Sequence, residues 1–181
     1  MIAILSVNSP MNTRIIALFL LLSLGACNSN EDAPDVSGIK IQLTQQHFEH
    51  DFFAIDTNQL DQSILALDKK YPGFTTVFLS NILALMPASE SSDLKSFYSA
   101  YLPLYKQSTS IFKEQKKQAQ KIEQGFQYLK HYFPSYQLPN KLITFIGPIN
   151  SFGSILTEDA IAIGLQLFMG KDHPLYTSEE G

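Results

Sequence analysis

Apolar and polar positions divide the chain into segments with different periods. Ile15 to Leu24 is a ten-residue apolar segment broken only by Ser23. Ile39 to Leu43 alternates apolar and polar at period two, the signature of a strand. Phe48, Phe52, Phe53 and Ile55 follow as an aromatic cluster expected in the core. Asp56 and Thr57 can cap a helix in which Leu60, Ile64 and Leu67 share one face. Tyr71-Pro72-Gly73 ends it, and Phe74 to Met86 reads as a second, more deeply buried helix. Beyond the loop at Pro87 to Ser92, Asp93 to Phe112 is predicted helical, interrupted or kinked by Pro103. The clearest periodicity lies in Lys113 to Phe133, where Ile122, Phe126, Leu129 and Phe133 recur at helical spacing.

After Pro134 the pattern changes to short extended runs. Leu142 to Ile146 is β-branched and aromatic and stops at Gly147-Pro148. Gly153 to Leu156 and Ala160 to Leu165 form two more runs, with Glu158-Asp159 as a hairpin turn between them. Helices first and strands later predict an α+β domain: an N-terminal helical layer followed by a small antiparallel sheet.

The ten-residue apolar run is half of the roughly 20 residues needed to span a bilayer. Arg14 precedes it, and Leu24-Gly25-Ala26-Cys27 follows. A positive start, a short apolar stretch and a small-residue exit predict a secretory signal peptide over residues 1–26, with Met11 an alternative start. The quartet ending at Cys27 resembles the lipobox of bacterial lipoproteins, whose cysteine thiol carries diacylglycerol and becomes the mature N-terminus. Further acyl chains such as palmitate would make the anchor firm, because each buried CH₂ contributes about 0.8 kcal/mol and one chain alone is marginal. Residues 27–38 then read as an acidic polar tether, leaving 39–181 as a single domain. Residue 28 is Asn, so the common Asp signal for inner-membrane retention is missing, and an outer-membrane location is expected.

Composition narrows the chemistry. The 181 residues are 45% hydrophobic, which excludes a disordered chain, and 13 basic against 17 acidic residues give a net charge of −4. Loss of residues 1–26 removes Arg14, the only arginine, and leaves twelve lysines against seventeen acids, a charge of −5. Nucleic acid is therefore not an expected partner, and no guanidinium remains to clamp phosphate or carboxylate. One cysteine excludes an internal disulfide and any multi-cysteine zinc site. The basic run Lys113, Lys116, Lys117 and Lys121 reads as a solvated helix face, or else as a stripe facing a membrane or partner.

Four histidines are candidates for chemistry. His47-Phe48-Glu49-His50 puts three coordinating side chains within four residues, but it is not H-E-x-x-H, and its plainer reading is a partly exposed surface pair. His131 falls at a helix C-terminus, where a cationic ring complements the dipole, and His173 precedes Pro174 in a turn. No G-x-S-x-G, G-x-G-x-x-G or P-loop occurs. The sequence thus assigns no catalytic, cofactor-binding or metal-ligating residue, and Cys27 is its one designated site.

Several blocks resemble the gliding motility-associated lipoprotein B (GldB) family. They are Cys27 in its lipobox, Phe52-Phe53-Ala54-Ile55-Asp56, Lys70-Tyr71-Pro72-Gly73-Phe74, Tyr128 to Pro134 and, most specifically, Ile161 to Tyr176. The resemblance implies a cell-envelope lipoprotein associated with the gliding machinery; with the lipid anchor and no complete catalytic constellation in the sequence, a non-catalytic role supporting gliding motility or surface machinery through protein contacts is expected. It also brings a distant likeness to zinc-dependent peptidases, so a degenerate or divergent hydrolase of that kind is the alternative. Relatives of this type usually continue past the equivalent of Gly181, so a truncated member is expected.

Overall fold

A computed structural model of the chain describes residues 33–86, 90–113 and 116–177. The predicted signal peptide and Cys27 lie outside these residues. From Val36 onward the chain forms one compact unit. Its elements are strand β1 (Thr44–His47), helices α1 (Phe48–Phe52), α2 (Leu60–Lys70), α3 (Phe74–Val77), α4 (Glu90–Ile111) and α5 (Lys116–Tyr132), strands β2 (Lys141–Phe145), β3 (Ser154–Leu156) and β4 (Ala160–Gly164), and helix α6 (Pro174–Thr177).

The strands form one sheet in the order β1-β2-β4-β3. β1 runs parallel to β2, pairing His47 with Thr144, and β2 runs parallel to β4, pairing Leu142 with Ile161. Only the β3–β4 hairpin is antiparallel, with Ile155 opposite Ala162. The sheet is therefore mixed, not antiparallel as the sequence suggested, and α6 follows it rather than preceding it. β2 explains the difference. Its residues from Leu142 onward are buried on both faces, as in parallel strands covered by helices on two sides.

Alternation along the strands builds two apolar layers. Ile143, Phe145, Ala160 and Ala162 join a large cluster with Phe48, Phe52, Phe74, Phe78 and Leu94 from the helices on one face. On the other face Leu142, Ile161 and Ile163 meet Ala119, Ile122 and Phe126 of α5, together with Leu43. The first layer is dense in rings: Phe48 lies edge-on to Phe74 at 5.0 Å, and Phe78 edge-on to Phe145 at 6.2 Å. Such pairs add about 0.5–1.5 kcal/mol each beyond the area they bury.

Several element boundaries moved. The first strand is Thr44–His47, not Ile39–Leu43. The expected segment is instead held by α5: the Leu43 N–H donates to Glu123 Oε1 at 2.9 Å, and Gln127 Nε2 donates to the Ile39 carbonyl at 2.7 Å. The Asp56 carboxylate accepts from the Asn58 N–H at 2.9 Å and shapes the turn before α2, whose N-cap is Gln59. The buried run after Gly73 starts as α3 and widens into a π-type turn over Phe78–Ile82, where the Leu83 N–H reaches the Phe78 carbonyl at 2.9 Å. Gly73 has φ +78°, a conformation that penalises any Cβ. Pro103 sits inside a continuous α4. Phe133, expected on the apolar face of α5, falls just past the helix end and is exposed.

Candidate functional site

The sharpest polar arrangement lies where β1 passes directly into α1. His47 is the last residue of the strand, and Glu49 and His50 fall in the first turn of the helix. Phe48 between them is anchored in the aromatic core at 1% exposure, which fixes the junction. Glu49 is equally buried, whereas the His47 and His50 side chains are 37% and 52% exposed. The surface-pair reading thus describes the two histidines but not the carboxylate between them.

A buried carboxylate is costly unless it is paired and hydrogen-bonded. Thr144, opposite His47 in the parallel register, supplies that: its hydroxyl lies 2.8 Å from Glu49 Oε2 and 3.0 Å from Oε1. His47 Nδ1 is 3.3 Å from Glu49 Oε1 and 3.1 Å from the Thr144 hydroxyl. His50 Nε2 lies 3.7 Å from the same Oε1, and the two imidazoles stack with centroids 5.0 Å apart. The hydrogen bond to Glu49 raises the His47 pKa above its ordinary value; partial burial opposes this, and the charges of Glu49 and Asp51 reinforce it.

Asp51, one turn on, faces other partners. Lys70 Nζ approaches its carboxylate at 2.6 Å and the Tyr71 hydroxyl donates to it. Burial pushes the Asp51 carboxyl up, but these bonds outweigh it and hold the carboxyl below the usual range. Burial, followed by the bond to Asp51, raises the Tyr71 phenol.

The cluster opens onto a cleft of about 820 Å³ outside the carboxyl end of β1. Its opposite wall is the α4–α5 corner, with Tyr105, Ser108, Lys113, Lys116 and Lys117 among the lining residues. In open sheets with parallel strands, ligands bind outside the carboxyl ends of the strands. Part of the lysine run read as a solvated helix face therefore lines this cleft. His47, Glu49 and His50 can each present one ligand atom, and these atoms lie within 4.8 Å of one another.

The other histidines are elsewhere. His131 occupies the last turn of α5, as its position before Pro134 implied. His173 Nε2 contacts Gln107 Oε1 at 2.8 Å, and its Nδ1 accepts the Leu175 N–H at the start of α6. Sequence reasoning missed Thr144, whose contact with Glu49 joins residues 95 apart in the chain. A lone threonine in the apolar run L-I-T-F-I was its only signal.

The family model described as gliding motility protein GldB matches residues 29–181. The chain belongs to that family. Comparison with the curated proteins and with the solved structures finds no match.

Proposed function

From that membership we propose that the protein is a lipid-anchored component of the cell envelope that supports gliding motility or surface machinery through protein contacts, without catalysis of its own. Residues 1–26 act as the signal peptide, the Cys27 thiol receives the lipid, and residues 27–38 tether the folded part to the outer membrane. The observation that carries this reading is the family match over residues 29–181, joined to a single cysteine placed directly behind a ten-residue apolar run. Among the described residues no helix is long and apolar enough to cross a membrane. Lipid at Cys27 suffices physically when two or more chains are attached.

The test is expression of wild type and Cys27→Ser in a gliding bacterium that lacks its own copy, with radiolabelled palmitate. Wild type incorporates label, fractionates with the outer membrane and restores colony spreading; the variant loses all three. Label entering the variant would sink the anchor, and unaltered spreading in the deletion strain would sink the motility role.

A further inference from the structure

His47, Glu49 and His50 meet the geometric requirement for a divalent transition-metal site, and we propose that they bind a zinc ion whose outward coordination position faces the cleft. This goes beyond the anchoring and motility reading and does not depend on it.

Tetrahedral zinc takes nitrogen and oxygen donors at about 2.0–2.2 Å, which sets neighbouring donor atoms about 3.3 Å apart. His47 Nδ1 and Glu49 Oε1 already stand at 3.3 Å, and His50 Nε2 and the same oxygen at 3.7 Å. One ligand atom from each of the three residues lies within 4.8 Å of the other two, and the half-exposed His50 ring is free to turn toward them. Two imidazoles and one carboxylate form a donor set suited to zinc rather than to calcium or magnesium, which prefer all-oxygen shells. Three protein ligands leave a fourth position for water or an anionic oxygen donor.

Support around the ligands follows the same logic. The Thr144 hydroxyl donates to the Glu49 carboxylate, with both oxygens in reach, and so braces it from behind, the outer contact that tunes metal affinity. Burial of Glu49 at 1% exposure strengthens its attraction for a cation, because little water screens it. Lys113, Lys116 and Lys117 are exposed to solvent across the cleft, so their repulsion is screened over a Debye length of about 8–10 Å. Their charge favours an anionic group in the fourth position. With Glu49 committed as a ligand, the trio holds no further carboxylate to activate a bound water. The site is assigned to holding an ion and an anionic ligand.

The experiment uses the full chain carrying Cys27→Ser, so that neither lipid nor the thiol takes part. Zinc chloride is titrated by calorimetry and by competition with a chromophoric chelator, and cobalt(II) is substituted to read coordination from its visible spectrum. One zinc ion per chain is expected, with tetrahedral-type cobalt absorption. His47→Ala and His50→Ala should each weaken binding by tenfold or more, and Thr144→Val by about 10–100-fold. His173→Ala should bind as the parent does. Circular dichroism of the exposed His50→Ala variant confirms folding before titration. Failure of the parent to bind zinc would overturn the proposal. So would binding that survives the His47→Ala/His50→Ala double variant, or that falls equally with His173→Ala.

Discussion

Gln166 shows how much one side chain can organise. It is fully buried, and its Oε1 accepts the Gly147 N–H at 3.0 Å, tying the segment after β2 to the segment after β4. The space around it is made by glycines. A Cβ on Gly164 would stand 2.7 Å from the Gln166 amide, and one on Gly147 would stand 2.8 Å from Ile82 Cγ2. Replacing Gln166 by the similarly sized leucine keeps the volume but strands a buried N–H, which costs about 1–3 kcal/mol. Gln166→Leu should therefore lower the urea midpoint without changing the slope of the transition. Wild-type stability in that variant would mean the amide bond contributes nothing. Gln166 lies within the block Ile161 to Tyr176 that suggested the family, yet nothing in the sequence marks it as a buried tie. At this scale the sequence drew attention to His47, Glu49 and His50, whose plainer reading was a surface pair, but it carried no geometry for them. A residue spacing becomes a distance only within a known element, and here strand changes to helix between His47 and Phe48.

At the scale of elements, amphipathic patterning was the dependable signal. Leu60 and Leu67 are buried on α2, with Ile64 packed against the same cluster, and Ile122 and Phe126 pack α5 onto the sheet. β1 was misplaced because T-Q-Q-H has no apolar alternation: it is an edge strand, and its register comes from β2 and its position from α5. The parallel pairing was legible in principle, since L-I-T-F-I is apolar on both faces, but a short apolar run does not by itself choose a partner. The contact of α5 with the sheet gives a direct test. Ala119 is 1% exposed against Leu43 and Leu142, so the helix can approach only where its side chain is small. Ala119→Leu should destabilise by about 1–3 kcal/mol through overpacking. Gln124→Ala, on the exposed side of the same helix, should stay within about 0.5 kcal/mol. Equal urea midpoints for the two variants would show that α5 is not seated on the sheet through Ala119.

For the whole molecule, the order of elements decides what can be stable alone. Among the described residues, 48–132 hold the five α-helices that precede β2, yet their apolar face is completed from far along the chain. Ile143, Phe145, Ala160, Ala162 and Leu165 share one cluster with Phe48, Phe52, Phe74 and Phe78. Among the described residues β1 has no strand partner other than β2, so its pairing also waits for residues 141–144. The helical region therefore resembles one half of a core rather than a self-sufficient bundle: the 22-residue α4 and 17-residue α5 can keep helical backbone in a collapsed chain, but fixed packing of their apolar faces needs the sheet. A chain ended after Asn140 should retain helical far-UV dichroism, bind a hydrophobic dye and unfold in urea without a cooperative step, whereas the full chain should show one sigmoidal transition. A sharp transition in the shortened chain would mean that the aromatic cluster closes without the sheet. The zinc titration provides a second reading of the same dependence. Glu49 is held by Thr144 from β2, so the shortened chain keeps all three ligands but loses their support. It should bind the ion more weakly than the full chain does, by at least the 10–100-fold factor expected for Thr144→Val alone.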